Sequence, residues 1–442
     1  MNTIGQLKII LVLLDGLGDR SYPALDGKTP LQAARTPNLD RLAALGANGL
    51  FHASHLGECL PSEIAHYLLL GYERDEFPGR GLLEASGAGV PFDDNDVLSL
   101  AHLSGVRWEN ERAILITKRD DLAADRERVA TLYEAVARYE TNDIRFRLVQ
   151  TRPNNGILVM SGDASPFVSD SDPMVVGMPM SRPQPMKSNP EPERAARTAE
   201  ALNGYLIHCC RELEASPLNA MRTAEGKPSA NFLATQRAGR RIKVEPFQER
   251  WGMRGALVAS GSVYGGIAHE LGLEYVRAKD TGHGAADLGQ RIQWALDTTD
   301  HDFIHVHTKV PDEAAHKTDP RGKASAIGSL DQAFELALHA LETRDDLLMV
   351  VASDHSTPSD SPLIHSGEPV PVIMAGPTIR RDTVTSYDEI AAAAGCLGLM
   401  RGRELPLMTL NFANRSALSS HRLAPRDTKY MPLQYEAFKL RR

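Results

Sequence analysis

The stretch around Leu347–His365 holds the first residues able to do chemistry. An apolar run, LLMVVA, ends in Asp354 and His355, and His365 follows across a Ser/Pro-rich loop. Two other apolar runs end in a similar way. IILVLL runs straight into Asp15, and DFIHVHT leads into KVPDEAAHKTDP, where Asp312 and His316 stand at i, i+4. Carboxylates mixed with imidazoles suit Mn²⁺, Zn²⁺ or Mg²⁺ better than thiolate-seeking ions. Groups at the carboxyl ends of the strands of an open α/β sheet converge on one edge. Asp15, Asp312, Asp354, His316, His355 and His365 are more donors than one ion needs. Two divalent cations with open positions is the economical reading, an arrangement that clamps both oxygens of a phosphoryl transfer.

Taken singly, each piece has a plainer use. Asp15 serves equally as a turn or cap residue, and an i, i+4 Asp/His pair as a solvated helix face. His305 and His307 alternate onto one face of their strand and precede its end, so they are read as packing or support. Ser62 follows Pro61 and opens the helical run EIAHYLLLGY. A helix start favours a phosphate, and a cation-acidified serine hydroxyl is a nucleophile. The same residue also serves as a plain helix cap, with Glu63 as a first-turn acid.

The elements that must position these residues alternate between short strands and longer helices. LKIILVLLD, RGALVAS, LEYVRA, DFIHVHT, DLLMVVASD and PVPVIMAG read as strands. TPNLDRLAAL, with Thr36 as cap and Pro37 at its first turn, reads as a helix. So do VYGGIAHELG, AADLGQRIQWALD and the long GKASAIGSLDQAFELALHALE. Continuous apolar strands between helices predict an α/β fold, a mostly parallel sheet with helices on both faces. Residues 95–180 differ in texture, with strand-like VLSLAHLSG, RAILIT, IRFRLVQT and GILVMSG around one helix. They predict an inserted α+β domain acting on substrate as a lid. The Pro- and Met-rich residues 181–189 are its exit linker, and residues 1–94 and 190–442 form the main, discontinuous domain.

With 442 residues and 42% hydrophobic content, the chain can bury a sizeable core. A net charge of −8 argues against nucleic acid as the main partner. IILVLL is too short to span a bilayer and lacks a cleavage pattern, so no membrane partner is expected. Four cysteines without CxxC spacing fit a reducing, cytoplasmic setting. Nothing in the sequence decides for or against a homo-oligomer.

Longer blocks carry a family resemblance. VLLDGLGDRSYPALDGKTPLQAARTPNLDRLAALGANGLF resembles the opening of the archaeal-type cofactor-independent phosphoglycerate mutases of the alkaline phosphatase superfamily. PSEIAHYLLLGYERDEFPGRGLLEASGAGV resembles the block holding that family's nucleophilic serine. HTKVPDEAAHKTDPRGKASAIGSLDQ and SDHSTPSDSPLIHSGEPVPVIMAGP resemble its two metal blocks. The resemblance implies an alkaline-phosphatase-like fold. It assigns Asp312, His316 and His365 to one cation, and Asp15, Ser62, Asp354 and His355 to the other. It further implies a Ser62 phosphoenzyme and a small phosphorylated substrate.

The substrate grip departs from the family's pattern. TKRDDLA, with Lys118 and Arg119, stands where DRRAGR is expected, and Asn154–Asn155 stand in place of a His-Arg pair. Met174 replaces a histidine, Tyr264 a lysine and Gln236 an arginine. Cationic or protonatable groups give way to neutral ones, which cannot reproduce a bidentate arginine grip on phosphate. Lys118, Arg119, Asn154, Asn155 and Tyr264 are the candidate substrate contacts. The leading expectation is a phosphomutase on phosphoglycerate or a related compound. The alternatives are a phosphatase or phosphodiesterase with another substrate, and a non-catalytic regulatory or scaffold relative.

Overall fold

Strand β1, Lys8–Leu14, is apolar almost throughout and lies at the middle of a sheet. The computed structural model describes residues 5–117, 126–141, 143–317, 319–423, 425, 427–432, 436 and 438–440. The other strands are β2 (Ala47–His52), β3 (Val97–Glu109), β4 (Arg112–Thr117), β5 (Arg138–Glu140), β6 (Ile144–Arg152) and β7 (Asn155–Gly162). They continue with β8 (Phe232–Arg240), β9 (Gly255–Ala259), β10 (Glu274–Arg277), β11 (Phe303–Thr308), β12 (Leu347–Ala352), β13 (Val370–Ala375) and β14 (Gly398–Arg401). The chain divides into two compact units, Met1–Phe77 with Val244–Arg442, and Pro78–Lys243.

The larger unit is built on an eight-stranded sheet in the order β10-β9-β11-β1-β12-β13-β2-β14. All pairings are parallel except those of β13, which runs antiparallel to β12 and to β2. Ile10, Val12 and Leu14 point to one face. There they join Leu288, Ile292, Ile327 and Leu338 from the covering helices in one core. Leu11, Phe303 and Val350 line a small apolar pocket on the other face, with Leu69, Trp251 and Leu405. Each fully buried aliphatic side chain is worth about 1.5–3 kcal/mol. Strand β1 is therefore pinned from both sides, and the position of Asp15 at its end is fixed by core packing.

Two local expectations are corrected. The long helix is broken into Pro320–Leu330 and Glu335–Thr343 by a 3₁₀ turn at Asp331–Phe334. The Asp331 carboxylate accepts from the Asn38 and Leu39 amides at 3.0 and 2.9 Å, capping the helix Pro37–Leu45. Thr36, expected to cap that helix, makes no side-chain cap bond.

The smaller unit is an antiparallel six-stranded sheet, β4-β3-β7-β6-β5 with β8 paired to β3. Its core joins Leu148, Leu158 and Met160 to Leu132, Tyr133, Leu202, Tyr205 and Leu213. The unit is wider than residues 95–180. The helix Pro192–Ala215 belongs to it, because the face bearing Leu202, Leu206, Cys209 and Leu213 packs on this sheet. Residues 181–189 are likewise part of the unit. Gln184 O and Phe167 O accept from Ser169 N and Met186 N at 2.8 and 2.9 Å, so the segment lies along residues 167–171. Among the described residues no helix is long and apolar enough to cross a membrane.

Candidate metal centre

The larger unit supplies every donor of the candidate centre. Strand β1 delivers Asp15, whose amide bonds to Thr308 O at the end of β11 at 3.0 Å. Gly16 follows at φ +64, in the left-handed region. Its amide donates to Asp354 Oδ1 at 3.1 Å, tying the end of β1 to the end of β12. The short helix Val310–Ala315, with Pro311 in its first turn, carries Asp312, and His316 caps it.

The side chains form two groups whose donor atoms lie within 4.8 Å of one another. In the first, Asp312 Oδ1 lies 3.4 Å from His316 Nε2 and 3.6 Å from His365 Nε2. His365 donates its Nδ1–H to Leu60 O at 2.7 Å, which keeps Nε2 as the free donor. In the second, His355 Nε2 lies 3.4 Å from Asp15 Oδ1 and 3.2 Å from Asp354 Oδ2. The groups adjoin through the stacked rings of His355 and His365, 3.8 Å between centroids. Ser62 opens the helix Ser62–Leu69, and its hydroxyl lies 3.0 Å from His355 Nε2 and 3.4 Å from Asp15 Oδ1. All seven residues singled out in the sequence thus come together.

The electrostatics are lopsided. Burial would raise the Asp15 carboxyl, but Lys309, His307 and His355 hold it well below the usual carboxylate range. Burial, then the negative charges of Asp15 and Asp312, push Asp354 well above that range. Asp354 Oδ2 is buried and has no hydrogen-bond partner among the described residues. Burial, followed by His307, takes His66 down to about 3. His355 also falls to about 3, chiefly through burial. His316, which bonds to Asp312, is raised. Crowded carboxylates, the depressed His66 and His355 imidazoles and an orphaned buried carboxylate oxygen fit divalent-cation binding. Mixed O/N donor sets of this kind suit Mn²⁺ or Zn²⁺.

Several participants carried weaker signals. His307 Nε2–H donates to Asp15 Oδ2 at 3.0 Å, so its place on the strand face proves to be support for a donor. His66, four residues after Ser62, donates from Nδ1 to Ser62 O at 2.7 Å; that spacing was its one legible signal. Lys309 Nζ lies 3.9 Å from Asp15 Oδ2 and 5.7 Å from the Tyr264 ring.

The expected substrate contacts fare differently. Tyr264 is buried and donates its hydroxyl to Asp15 Oδ2 at 2.9 Å, which makes it a neighbour of the donors. Asn154 is fully buried, and its amide exchanges two 2.9 Å bonds with the Leu103 backbone, so it braces β3. Asn155 opens β7 in the smaller unit. Lys118 and Arg119 lie outside the described residues.

Residues 7–412 match the Metalloenzyme superfamily. The 2,3-bisphosphoglycerate-independent phosphoglycerate mutase 2 of Methanocaldococcus jannaschii is 37% identical over 96% of this chain and 98% of its own length. The corresponding mutase of Methanopyrus kandleri is 38% identical over 92% of this chain and 97% of its own length. Among solved structures, a Pyrococcus horikoshii protein shares 27% identity at TM-score 0.72, over 94% of this chain and 99% of its own. The cofactor-independent phosphoglycerate mutase of Thermoplasma acidophilum shares 27% identity at TM-score 0.61, over 92% of this chain and all of its own. The chain therefore belongs to the metalloenzyme superfamily and, within it, to the family of 2,3-bisphosphoglycerate-independent phosphoglycerate mutases, which are metal-dependent enzymes.

Proposed function

We propose that this chain is a phosphomutase that interconverts phosphoglycerates, or a closely related phosphorylated acid, through a phosphoserine at Ser62. Asp312, His316 and His365 would hold one divalent cation, and Asp15, Asp354, His355 and the Ser62 oxygen the other. When bound, such cations neutralise phosphate charge and acidify a hydroxyl.

The observation that carries the reading is the place of Ser62. Its oxygen lies within 3.4 Å of His355 Nε2 and Asp15 Oδ1, at the start of a helix, where the backbone dipole favours phosphate. His66 holds the Ser62 carbonyl and so fixes how the helix begins. Ser62 Oγ attacks the phosphorus of the monoester, forming an Oγ–P bond as the ester P–O bond breaks. The proton lost by Ser62 balances the one gained by the leaving hydroxyl. Return of the phosphoryl group to the neighbouring hydroxyl of the same molecule completes the isomerisation. Lys309, about one-third exposed beside Asp15, adds positive charge for the incoming phosphate.

One observation favours a second reading, a phosphatase or phosphodiesterase acting on another ester. Tyr264 and Asn154 stand where cationic grips are expected, and both are committed to protein partners. Mn²⁺-loaded protein given 3-phosphoglycerate decides between the two. Formation of 2-phosphoglycerate without phosphate release, with phosphorylated Ser62 trapped by acid quench and lost in Ser62→Ala, is the expected result. Absence of interconversion, together with phosphate release from a different ester, overturns the mutase. Full activity in Ser62→Ala overturns the nucleophile.

A further inference from the structure

The hydroxyl of Thr357 stands between the two donor groups. Its Oγ1 lies 2.9 Å from Asp312 Oδ1 and 3.2 Å from His355 Nδ1. Thr357 is fully buried, so solvent cannot replace either contact. A hydroxyl has one proton and a carboxylate only accepts, so that proton goes to Asp312. The threonine oxygen must then accept from His355. This puts the imidazole proton on Nδ1 and leaves the Nε2 lone pair facing Asp15 Oδ1 and Asp354 Oδ2, at 3.4 and 3.2 Å. At the other group, the same hydroxyl engages Asp312 Oδ1, the atom 3.4 Å from His316 Nε2 and 3.6 Å from His365 Nε2.

The backbone of Thr357 is clamped independently of the donors. Its amide donates to Gly18 O at 2.9 Å. Its carbonyl accepts from the buried Lys323 ammonium at 2.8 Å, and Lys323 also reaches Gly18 O at 2.9 Å and Asp19 Oδ2 at 3.1 Å. Space is kept as well, since a Cβ on Gly16 would come within 2.5 Å of Thr357 Oγ1 and 2.7 Å of Asp312 Oδ1.

We propose that Thr357 is a positioning residue shared by both donor groups: one hydroxyl sets the tautomer of His355 and the orientation of Asp312, so both cation sites weaken together when it is lost. The inference rests on the two-cation reading of the site. Partners of this kind, behind metal ligands, typically contribute about 10–100-fold to affinity.

Thr357→Val keeps the shape and removes both bonds, whereas Thr357→Ser keeps both. Calorimetric titration with Mn²⁺ is expected to show both stepwise dissociation constants rising about 10–100-fold in the valine variant, with the serine variant near wild type. Nitrogen NMR of the metal-free protein is expected to find His355 protonated at Nδ1 in wild type and Thr357→Ser, and to find Nε2–H appearing in Thr357→Val. Wild-type His355 protonated at Nε2 overturns the inference without any variant. So does a valine variant that binds both cations like wild type, or that loses only one. Wild-type protein that takes up no Mn²⁺ sinks the two-cation reading and this inference with it. The tautomer, read without metal, separates that failure from the others.

Discussion

Asp354→Asn should make the metal-free protein more stable and the Mn²⁺-loaded protein less so. Asp354 Oδ1 accepts from the Gly16 and His355 amides, both at 3.1 Å, and an asparagine carbonyl keeps both bonds. Oδ2 has no hydrogen-bond partner among the described residues and lies buried 3.2 Å from His355 Nε2. An amide NH₂ there presents a fixed donor to the lone pair of that nitrogen, in place of a carboxyl whose ionised form burial, Asp15 and Asp312 disfavour. Leaving such a group unsatisfied costs about 1–3 kcal/mol. At about 2 °C per kcal/mol for a chain of this size, the metal-free variant should melt about 2–6 °C higher. In Mn²⁺ the order reverses, because a cation at about 1,000 times its dissociation constant adds about 4 kcal/mol to wild type and the variant lacks one donor oxygen. Thermal unfolding followed by circular dichroism, in chelator and then in Mn²⁺, reads both. An unchanged ranking in the two buffers would refute the view that crowded carboxylates are held ready for a cation.

Three further outcomes follow from other contacts. Gly16→Ala places a Cβ at φ +64 against Thr357 and Asp312. It should cost at least about 1 kcal/mol in chelator and depress Mn²⁺ uptake, measured by equilibrium dialysis. Gly71, at φ +82, leaves no room beside the Trp251 ring, 2.2 Å from a built Cβ. Gly71→Ala should lower the urea midpoint while leaving Mn²⁺ stoichiometry unchanged. Glu389 is raised to about 6, chiefly by burial, against hydrogen bonds from Thr29 and the Asp19 amide and the charge of Lys323. A raised folded value means its contribution is complete below the unfolded value of 4.5 and is lost as pH rises through about 6. The loss is about 2 kcal/mol. Urea unfolding at pH values on either side of that window should show this loss in wild type and not in Glu389→Gln.

What the sequence revealed and what it hid have a common physical cause. Asp15, Asp312 and Asp354 were legible because each closes an apolar run, and strand ends in a parallel sheet share an edge. Direction was not legible: VPVIMA reads like its neighbours, yet β13 runs antiparallel, since an apolar strand buried on both faces carries no mark of its orientation. The helix Pro192–Ala215 shows which of its faces is buried but not which sheet covers it. Tyr264 and Thr357 were hidden for a third reason. Their roles rest on hydroxyl contacts to Asp15 and Asp312 that are 249 and 45 residues away in the chain, and no local pattern encodes such a distance.

The buried imidazoles behind Asp15 bear on why the centre would recruit cations at all. His66 and His305 stack at 5.2 Å between centroids, and His307 lies 5.3 Å from His66. Burial depresses all three, His305 furthest from solvent help, since neither of its ring nitrogens has a partner among the described residues. Protonated, these rings would neutralise Asp15 and Asp354 from within. Held neutral, they leave Lys309, near Asp15, as a fixed cation beside three carboxylates, those of Asp15, Asp312 and Asp354. Unsatisfied polar groups in the interior each cost free energy. With the imidazoles neutral, the raised Asp354 carboxyl is the group that takes a proton in the metal-free centre, and a divalent cation is the counter-charge that can displace it.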